Sequence, residues 1–341
     1  RDGLPPHPAH AGPDAGDVLI DHPKPMKHVL AAWLLLCAPA AMLACDVCGI
    51  FLGVQPNDRR STIGVFYRHR LMQGSTQVPL TSNLLVKHGV HAPRGVPYRE
   101  VPITEIVNVI ELRADLRLHE RWYLLASLPL TNTYRAVNGY RLLDAYGIGD
   151  PFAMLRYQLA NTRATRERTH VHRLLVGAGV KSPLGRHDLQ VGDELVSPDV
   201  QLGTGSWDLL ASIEYAVRRG RTTGGVSVLG RFNGQSPEGH RMGHGVSTTA
   251  EVFHRIGNDT LSFAPVVGGY AEWMGTDRME GVIHNGTGGT TVLSHTGVRV
   301  WRKRFSFSAY YQHALLNNEG VLVTPTRHRA VVGVTYNIET N

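Results

Sequence analysis

The sequence predicts an all-β fold, a transmembrane antiparallel up-and-down β-barrel of about 12 strands. The first observation is that apolar residues occupy every second position in most segments after residue 60, which is the period of a β-strand. The second is that about 12 such segments occur, each of about 10–14 residues, a length that suits a tilted strand crossing a bilayer. The third is that short and long connections alternate along the chain, as they do in outer-membrane barrels. A barrel domain is therefore expected over residues 61–341.

The residues ahead of the barrel have the pattern of an export signal. Residues 1–25 are rich in Pro, His, Gly and Asp and show no periodicity. Met26-Lys27-His28 is basic, an apolar run shorter than a spanning helix follows to about Ala38, and small residues come next, which is the anatomy of a secretory signal peptide. We therefore expect a start at Met26, a non-native or disordered extension over 1–25, a cleaved signal peptide over 26–44 and a location in the bacterial outer membrane.

Cys45-Asp46-Val47-Cys48 follows the expected cleavage site and opens a periplasmic segment, residues 45–60, that is suited to plug the barrel mouth. An exported chain with one cysteine pair favours a disulfide or a metal pair over idle thiols. Two thiolates bind copper or zinc, although a complete zinc site has four ligands and the sequence holds no second Cys-x-x-Cys. A lipid on Cys45 is the third interpretation. The sequence leaves all three open, and no other cofactor is expected.

The stretch 110–118, IELRADLRL, shows the strand alternation most clearly. Its apolar residues all lie at even positions, and Glu111, Arg113, Asp115 and Arg117 lie at odd positions. In a transmembrane barrel the apolar face meets lipid and the charged face lines the lumen. The predicted strands start near residues 61, 105, 121, 148, 170, 206, 223, 245, 260, 290, 304 and 327.

The connections predict which strand ends lie together. Short turns, such as His119-Glu120, alternate with longer segments. With an even number of strands both termini lie at the short-turn end, which is expected to face the periplasm. The long segments cover about residues 73–104, 135–147, 183–205, 235–244, 275–289 and 317–326. Aromatic girdles are expected at both interfaces, near the short turns from Trp122, Tyr215, Trp301 and Phe305 and near the long loops from Tyr134, Trp207 and Trp273.

The same alternation predicts which charged residues face the lumen. They either line a polar path for a solute, or they pair across strands and fill a narrow barrel, because a lone charge facing inward is costly. Both interpretations remain open. The residues are Arg68, Arg70, Glu111, Arg113, Asp115, Arg117, Arg156, Arg173, Asp208, Glu214, Arg231, Glu251, Glu272 and Arg299, with Lys181, Arg218 and Arg255 on the same side.

Histidines in two predicted external loops suggest a separate chemistry. His88 and His91 lie in one loop, and His240, Met242 and His244 lie in another. The second spacing suits copper or zinc capture, whereas solvated loop histidines are commoner. No Ser, His and Asp form a recognisable catalytic pattern, so the chain is not expected to be an enzyme.

Four stretches resemble one family. They are YGIGDPFAMLRYQL (146–159), VGAGVKSPLG (176–185), LGTGSWDLLASIEYA (202–216) and GGYAEWMGTDRMEG (268–281). They resemble the bacterial outer-membrane transporter-like barrels that are linked to the meta-pathway of phenol degradation and are distantly similar to fatty-acid-transporter-type channels. The resemblance covers roughly residues 60–338. It implies a barrel that passes small, often hydrophobic, molecules, although the Cys-x-x-Cys head is not part of the family pattern.

The sequence thus predicts passive passage of small solutes, hydrophobic ones among them, with the loops 73–104 and 183–205 as gates. The two alternatives are a copper- or zinc-related protein that uses Cys45 and Cys48, and an outer-membrane lipid-modifying enzyme. The expected partners are outer-membrane lipid, lipopolysaccharide, a solute of unknown identity and the barrel assembly machinery. The net charge of +7 is spread over predicted turns and forms no basic cluster, so nucleic acid is not an expected partner.

Overall fold

Twelve long strands form within the residues that the computed structural model describes, which are 60–79, 98–162, 165, 169–191, 194–258 and 260–339. Every pairing among these strands is antiparallel. They are β1 (Ser61–Pro79), β2 (Tyr98–Arg117), β3 (Trp122–Val137), β4 (Phe152–Asn161), β5 (His170–Lys181), β6 (Asp208–Arg219), β7 (Thr222–Phe232), β8 (Gly245–His254), β9 (Leu261–Met274), β10 (Gly289–Arg302), β11 (Phe305–Glu319) and β12 (Thr326–Ile338).

Each strand pairs with its neighbours in sequence, and the sheet closes into a barrel because β12 also pairs with β1. At this closure Ser61 lies opposite Ile338, and Arg70 lies opposite Arg329. A closed sheet leaves no unpaired strand edge, which lipid requires because it offers no hydrogen bonds to the backbone. The predicted 12-strand barrel is therefore confirmed, and all predicted strand starts except that of β2 fall within about four residues of the observed ones.

The connections alternate in length as predicted, with one correction. β1 continues to Pro79 and β2 already begins at Tyr98, so much of the predicted loop 73–104 is paired strand. Pro79 and Pro102 weaken the strand pattern of this extension in the sequence, because proline is usually a sign against strand. In the structure Pro102 lies opposite Ser75 within the pairing.

Side chains alternate between the outside and the inside of the barrel. In β2, Ile110 and Leu112 are each 50% exposed on the outer face, whereas Glu111 between them is 1% exposed. In β6, Ile213 is exposed and its neighbour Glu214 is buried. An apolar outer belt is what a transmembrane barrel presents to lipid, and the same alternation places the charged side chains inside.

Most of the residues expected in the short-turn girdle lie on the outer face, but Trp301 does not. Trp122 and Phe305 are exposed there. Trp301 lies opposite Ser262 and Ser306 on the inner face and packs against the buried cluster around Phe253. The prediction for Trp301 was wrong because strand parity, and not proximity to a turn, decides which face a side chain occupies.

β3 changes its partner halfway along its length. Trp122–Ser127 pairs with β4, whereas Leu130–Val137 pairs with Tyr140–Ile148, a shorter strand within the β3–β4 connection. The change falls at two prolines, which lack the amide hydrogen of a regular ladder. Their carbonyl groups still accept hydrogen bonds, Pro129 from the Gly149 amide and Pro151 from the Ser182 amide, both at 2.9 Å. The hydrogen-bonded wall between β3 and β4 therefore ends at Ser127 and Phe152.

The residues that the structure describes contain almost no helix. The helical element there is a three-residue 3₁₀ turn, Pro198–Val200, and no described helix is long and apolar enough to cross a membrane. Several predictions fall outside the described residues, namely the extension 1–25, the signal peptide 26–44, most of the segment 45–60 with Cys45 and Cys48, and the loop histidines His88 and His91.

Candidate functional site in the barrel lumen

Ion pairs cross the lumen and join strands that are not adjacent in the sheet. Arg156 on β4 pairs with Asp115 on β2, across the intervening β3, and it approaches Glu214 on β6 at 3.8 Å. Arg173 on β5 also contacts Glu214. A buried charge is costly unless it is paired. This chain of four side chains therefore binds four strands together near the short-turn end and fills the space there.

A second group fills the lumen between β8, β10 and β11. Nη2 of Arg299 lies 2.5 Å from Oε1 of Glu251, and its Nε donates to the hydroxyl of Tyr310. The guanidinium carbon lies 4.7 Å from the centre of the Phe253 ring, within the range of a cation–π contact. His295 places Nε2 at 3.4 Å from the other oxygen of Glu251. All five side chains are buried and fill this part of the lumen.

Two further carboxylates are each shared by two arginines. Glu111 lies 2.8 Å from Nη2 of Arg113 and 3.4 Å from Nη2 of Arg68. It also accepts a hydrogen bond from the hydroxyl of Ser127 at 2.7 Å. The carboxylate is thus held by two guanidinium groups and one hydroxyl.

Glu272 repeats the arrangement on β9. Its oxygens lie 3.0 Å from Nη2 of Arg231 and 3.3 Å from Nη2 of Arg329. Tyr270 donates its hydroxyl hydrogen to the same carboxylate at 2.8 Å, and its ring lies under the Arg329 guanidinium. In both groups one carboxylate lies within ion-pair distance of two arginines.

The structure places the predicted lumen residues on the inner face but gives them different surroundings. Arg117 is only half-buried, near the short turn after β2. Arg68 and Arg70 border an open cavity that is described below. The remainder are engaged in buried pairs or networks and occupy space; they are Glu111, Arg113, Asp115, Arg156, Arg173, Asp208, Glu214, Arg231, Glu251, Glu272 and Arg299.

A buried cluster around Asp150 anchors the long loop 182–207, which joins β5 to β6. Nζ of Lys181 lies 2.6 Å from Oδ2 of Asp150 and 2.8 Å from Oδ2 of Asp208, and it donates to the hydroxyl of Thr204. The two oxygens of Asp150 accept the amide hydrogens of Gly185 and Thr204, each at 2.8 Å. One carboxylate from the β3–β4 connection therefore holds both ends of the loop 182–207. We call these five residues the Asp150 cluster.

Two glycines let the chain approach this closely. A Cβ atom on Gly203 would lie 2.5 Å from Oδ1 of Asp150 and 2.6 Å from the Cα atom of Gly185. A Cβ atom on Gly185 would meet the Cα atom of Gly203 at 2.7 Å. Contacts this short do not occur with real side chains, so both positions require glycine. These glycines and the Asp150 cluster come from three of the stretches that carry the family resemblance.

The middle of the loop 182–207 lies in the mouth of the barrel. Arg135, on the inner face of β3, places Nη2 at 2.8 Å from Glu105 and at 3.3 Å from Asp199 of the loop. The side-chain amide of Gln201 bonds the backbone of Leu189 and Val196 within the loop. A buried apolar cluster also holds the loop together, and it consists of Leu143, Leu189, Val196, Val200 and Leu202. The loop is thus a packed structure held by defined contacts.

A cavity of about 110 Å³ lies between this loop and the opposite inner wall. Arg68 and Arg70 of β1 and Arg329 of β12 border it on the wall side, and Gln201 and Leu202 border it on the loop side. Apolar side chains complete the lining, among them Val107, Val109, Phe152, Tyr270 and Val331. We call this space the lumen cavity.

A second, apolar recess of about 460 Å³ lies where β3 and β4 separate. Leu112, Leu128 and Val180, which are exposed on the outer face, line it. Ser127 and Phe152 border both this recess and the lumen cavity. These two residues thus lie between the lumen cavity and a recess on the outer face.

The structure gives His240, Met242 and His244 different surroundings. His240 and Met242 are buried while His244 is exposed. His240 places Nε2 at 3.5 Å from Asp277, and Nδ1 of His244 accepts the amide hydrogen of Asn233 at 3.0 Å. In the part of the chain that the structure describes, no three His, Cys, Asp or Glu side chains form a group that could hold a metal ion.

Sequence reasoning missed several lumen residues. Asp150 and Thr204 lie in quoted stretches but received no role, because a loop residue gives no periodic signal. Arg329 was overlooked although its signal was present: in the β12 stretch HRAVVGVTYNI it falls on the face opposite to Ala330 and Val332. The strand alternation alone would have placed it inside.

Comparison with solved structures supports the architecture. An outer membrane channel from Pseudomonas putida F1 matches with a TM-score of 0.56 and 16% identity, over 84% of this chain and 100% of that chain. A FadL homologue from Pseudomonas aeruginosa matches over 82% and 88% of the two chains with 11% identity, but its TM-score of 0.33 is too low to carry an argument. No protein-family model matches the chain, and no curated protein matches it in sequence. The chain therefore has the fold of the outer-membrane transporter-like barrels.

Proposed function

We propose that the protein is an outer-membrane channel through which small solutes diffuse passively. The observation that carries the proposal is the lumen cavity, a lined space between the inner wall and the loop 182–207 in a barrel whose interior is otherwise crossed by ion pairs. The solved structure with a similar fold is described as an outer membrane channel, which supports the same function.

The loop 182–207 is the element that we expect to control passage. It lies in the mouth of the barrel and forms one side of the lumen cavity through Asp199, Gln201 and Leu202. The Asp150 cluster ties both of its ends to the wall, so a change at the cluster changes the position of the loop. The proposed gate is thus fixed by the Asp150 cluster, of which Asp150 and Lys181 also border the lumen cavity.

The thin wall at Ser127 and Phe152 favours hydrophobic solutes among those that pass. A molecule in the lumen cavity meets the apolar ring of Phe152, and the apolar recess lies on the other side of the same side chain. Movement of this ring would join the two spaces and connect the lumen with the outer leaflet or core of the membrane. This is a route for apolar molecules, which partition into lipid.

Permeability of liposomes tests the proposed function. Full-length protein reconstituted into liposomes is exposed to uncharged solutes of graded size, and the rate of swelling is followed by light scattering. We expect swelling that depends on the protein and falls as solute size increases. Protein that is folded, as judged by its migration on unheated gels, but gives the same swelling as empty liposomes would refute the channel.

A further inference from the structure

The short turns of the barrel carry exposed cations that closure of the sheet gathers at one end. The three turns concerned join β2 to β3, β6 to β7 and β10 to β11. In an up-and-down barrel these connections all lie at the same end, although they are far apart in the sequence. We call this set of exposed side chains the basic rim, and it consists of Arg121, Arg219, Arg221, Arg302, Lys303 and Arg304.

Acidic side chains offset only part of the charge of the basic rim. Glu120 is the one acidic residue in the three turns, all of whose residues the structure describes. Nη2 of Arg304 also lies 3.8 Å from Oε2 of Glu339, and both side chains are more than half exposed. An ion pair this exposed contributes little. The basic rim therefore presents a net positive charge to its surroundings.

Two of the turns carry cations on the lipid-facing surface. Arg302 lies opposite Leu261 and Phe305 in the strand register, and both of these are exposed on the outer face. Arg219 has the same strand parity as Tyr215, an exposed outer-face residue of β6. Because side chains of one parity share a face of the sheet, both arginines lie on the outer wall, at the end of its apolar belt.

Aromatic side chains of the outer face contact the basic rim. Nη1 of Arg121 donates to the hydroxyl of Tyr157 at 3.4 Å, and the Tyr157 ring centre lies 4.8 Å from that of Trp122. The β10–β11 turn repeats the arrangement, since Nη1 of Arg304 donates to the hydroxyl of Tyr336 at 3.3 Å. Tyrosine and tryptophan are enriched where a membrane meets water. The rim arginines that bond to them therefore lie at the level of the lipid headgroups.

We propose that the basic rim binds the phosphate groups of anionic phospholipids in the leaflet that surrounds the short-turn end. This end is expected to face the periplasm, and the periplasmic leaflet of an outer membrane is built from phospholipids. Guanidinium donors match phosphate oxygens in pairs. The headgroup that fits has a net negative charge, as in phosphatidylglycerol, because a zwitterionic headgroup brings a cation of its own to the rim. The inference goes beyond the proposed channel, since it concerns the outer surface and not the lumen.

Native mass spectrometry of the full-length protein tests the proposal. Protein in detergent is mixed with equal amounts of phosphatidylglycerol and phosphatidylethanolamine that have identical acyl chains, and the lipids retained on the folded protein are counted. We expect phosphatidylglycerol to be retained in preference. Equal retention of the two lipids would overturn the proposal. Displacement of phosphatidylglycerol by an equal concentration of inorganic phosphate would overturn it as well, because the rim would then be a site for free phosphate.

A double variant, Arg219→Gln with Arg302→Gln, locates the site. One Lys or Arg near an anionic membrane surface strengthens binding by about fivefold, so the loss of two should lower the preference for phosphatidylglycerol by about tenfold or more. The matched control is Arg141→Gln with Arg278→Gln, which removes two exposed cations at the long-loop end and should leave the preference unchanged. An unchanged preference in the rim variant, or an equal loss in the control, contradicts the assignment.

Three further measurements separate charge, lipid class and folding. Arg219→Lys with Arg302→Lys keeps both charges and should retain most of the preference, and a loss equal to that of the Gln pair would contradict recognition by charge. Retention of lipid A above phosphatidylglycerol, if the Gln pair abolishes it, would overturn the assignment to phospholipid. Where the Gln pair does not fold, the unaltered protein decides the question, because a preference that does not weaken as the salt concentration rises would overturn the proposal.

Discussion

At the scale of single residues, Asp150 makes the greatest difference to the candidate site. It accepts hydrogen bonds from Lys181, Gly185 and Thr204, and thereby ties two connections of the barrel together. Each of these donors is buried and would lose an acceptor if the carboxylate were lost, which is costly for the amides of Gly185 and Thr204. The effect of one substitution should therefore extend from the cluster to the whole loop 182–207.

The first residue-level prediction concerns Asp150→Asn. The change keeps the size of the side chain, but it removes the negative charge and replaces one acceptor oxygen by an NH₂ group. We expect the free energy of unfolding to fall by about 2–4 kcal/mol, and liposome permeability to rise because the loop is released. Urea unfolding followed by tryptophan fluorescence measures the first effect. Asp188→Asn is the control, since that carboxylate is exposed, as is its partner Arg186; an equal loss there would contradict the role of the cluster.

A second prediction at this scale concerns pH. Nε2 of His187 lies 3.1 Å from Oε1 of Glu238, a contact that joins the loop 182–207 to the connection 233–244. Partial burial raises the pKa of Glu238, but hydrogen bonds from Ser236 and the backbone, with the nearby His187, outweigh it and hold the pKa below its usual range.

A carboxylate with a lowered pKa stabilises the folded state above its ordinary pKa of ~4.3. That contribution is lost as the pH falls through the lower value of the folded state. Permeability should therefore rise below about pH 4 in the unaltered protein. Glu238→Gln should be more permeable at neutral pH and show a smaller rise on acidification. Identical pH profiles for the two proteins would rule out this tether.

At the scale of elements, the sequence predicted the strands well because one signal determined them. Alternation with a period of two gives the existence, face and approximate start of each strand, and the outer belt confirms it in β2 and β6. Two features of the strands were not predicted. Pro79 and Pro102 hid the long β1–β2 hairpin, and the partner change of β3 depends on which strand lies beside it, which no single segment encodes.

The element-level prediction concerns the loop 182–207. Replacing residues 188–202 by a short Gly-Ser linker removes Asp199, Gln201 and Leu202, which form one side of the lumen cavity, and keeps all five residues of the Asp150 cluster. The barrel should still close, and single-channel conductance in planar bilayers should increase, because the loop no longer occupies the mouth. A linker of the same composition in place of residues 278–283, part of another long connection, is the control. Equal conductance in the two variants would show that the loop 182–207 does not restrict the lumen.

At the scale of the whole molecule, the candidate site depends on closure of the barrel. Strand alternation predicted Arg68 and Arg70 as inward-facing, but it gave no means to decide between a solute path and ion-pair filling. That choice depends on partners far apart in the chain, such as Arg329 opposite Arg70 and Glu272 beside Arg329. The Asp150 cluster was equally hidden, because it joins two connections that have no periodicity. The sequence thus predicts which side chains face inward and which face outward. Which inward-facing side chains pair with one another becomes clear only once the barrel has closed.

The pairing of β12 with β1 has a further consequence. Ser61 and Ile338 lie side by side, and twelve consecutive residues of β1 are matched along this seam. The pairing of β12 with β1 is antiparallel, like the pairings between the other neighbouring strands. Among the described strands, the closed sheet therefore does not distinguish a first strand from a last one. A short peptide joining residue 338 to residue 61, with new ends opened in an exposed connection, should give a circularly permuted chain that forms the same ring, since permutation succeeds at such exposed sites. Strand order around the ring, rather than order along the gene, then defines this architecture.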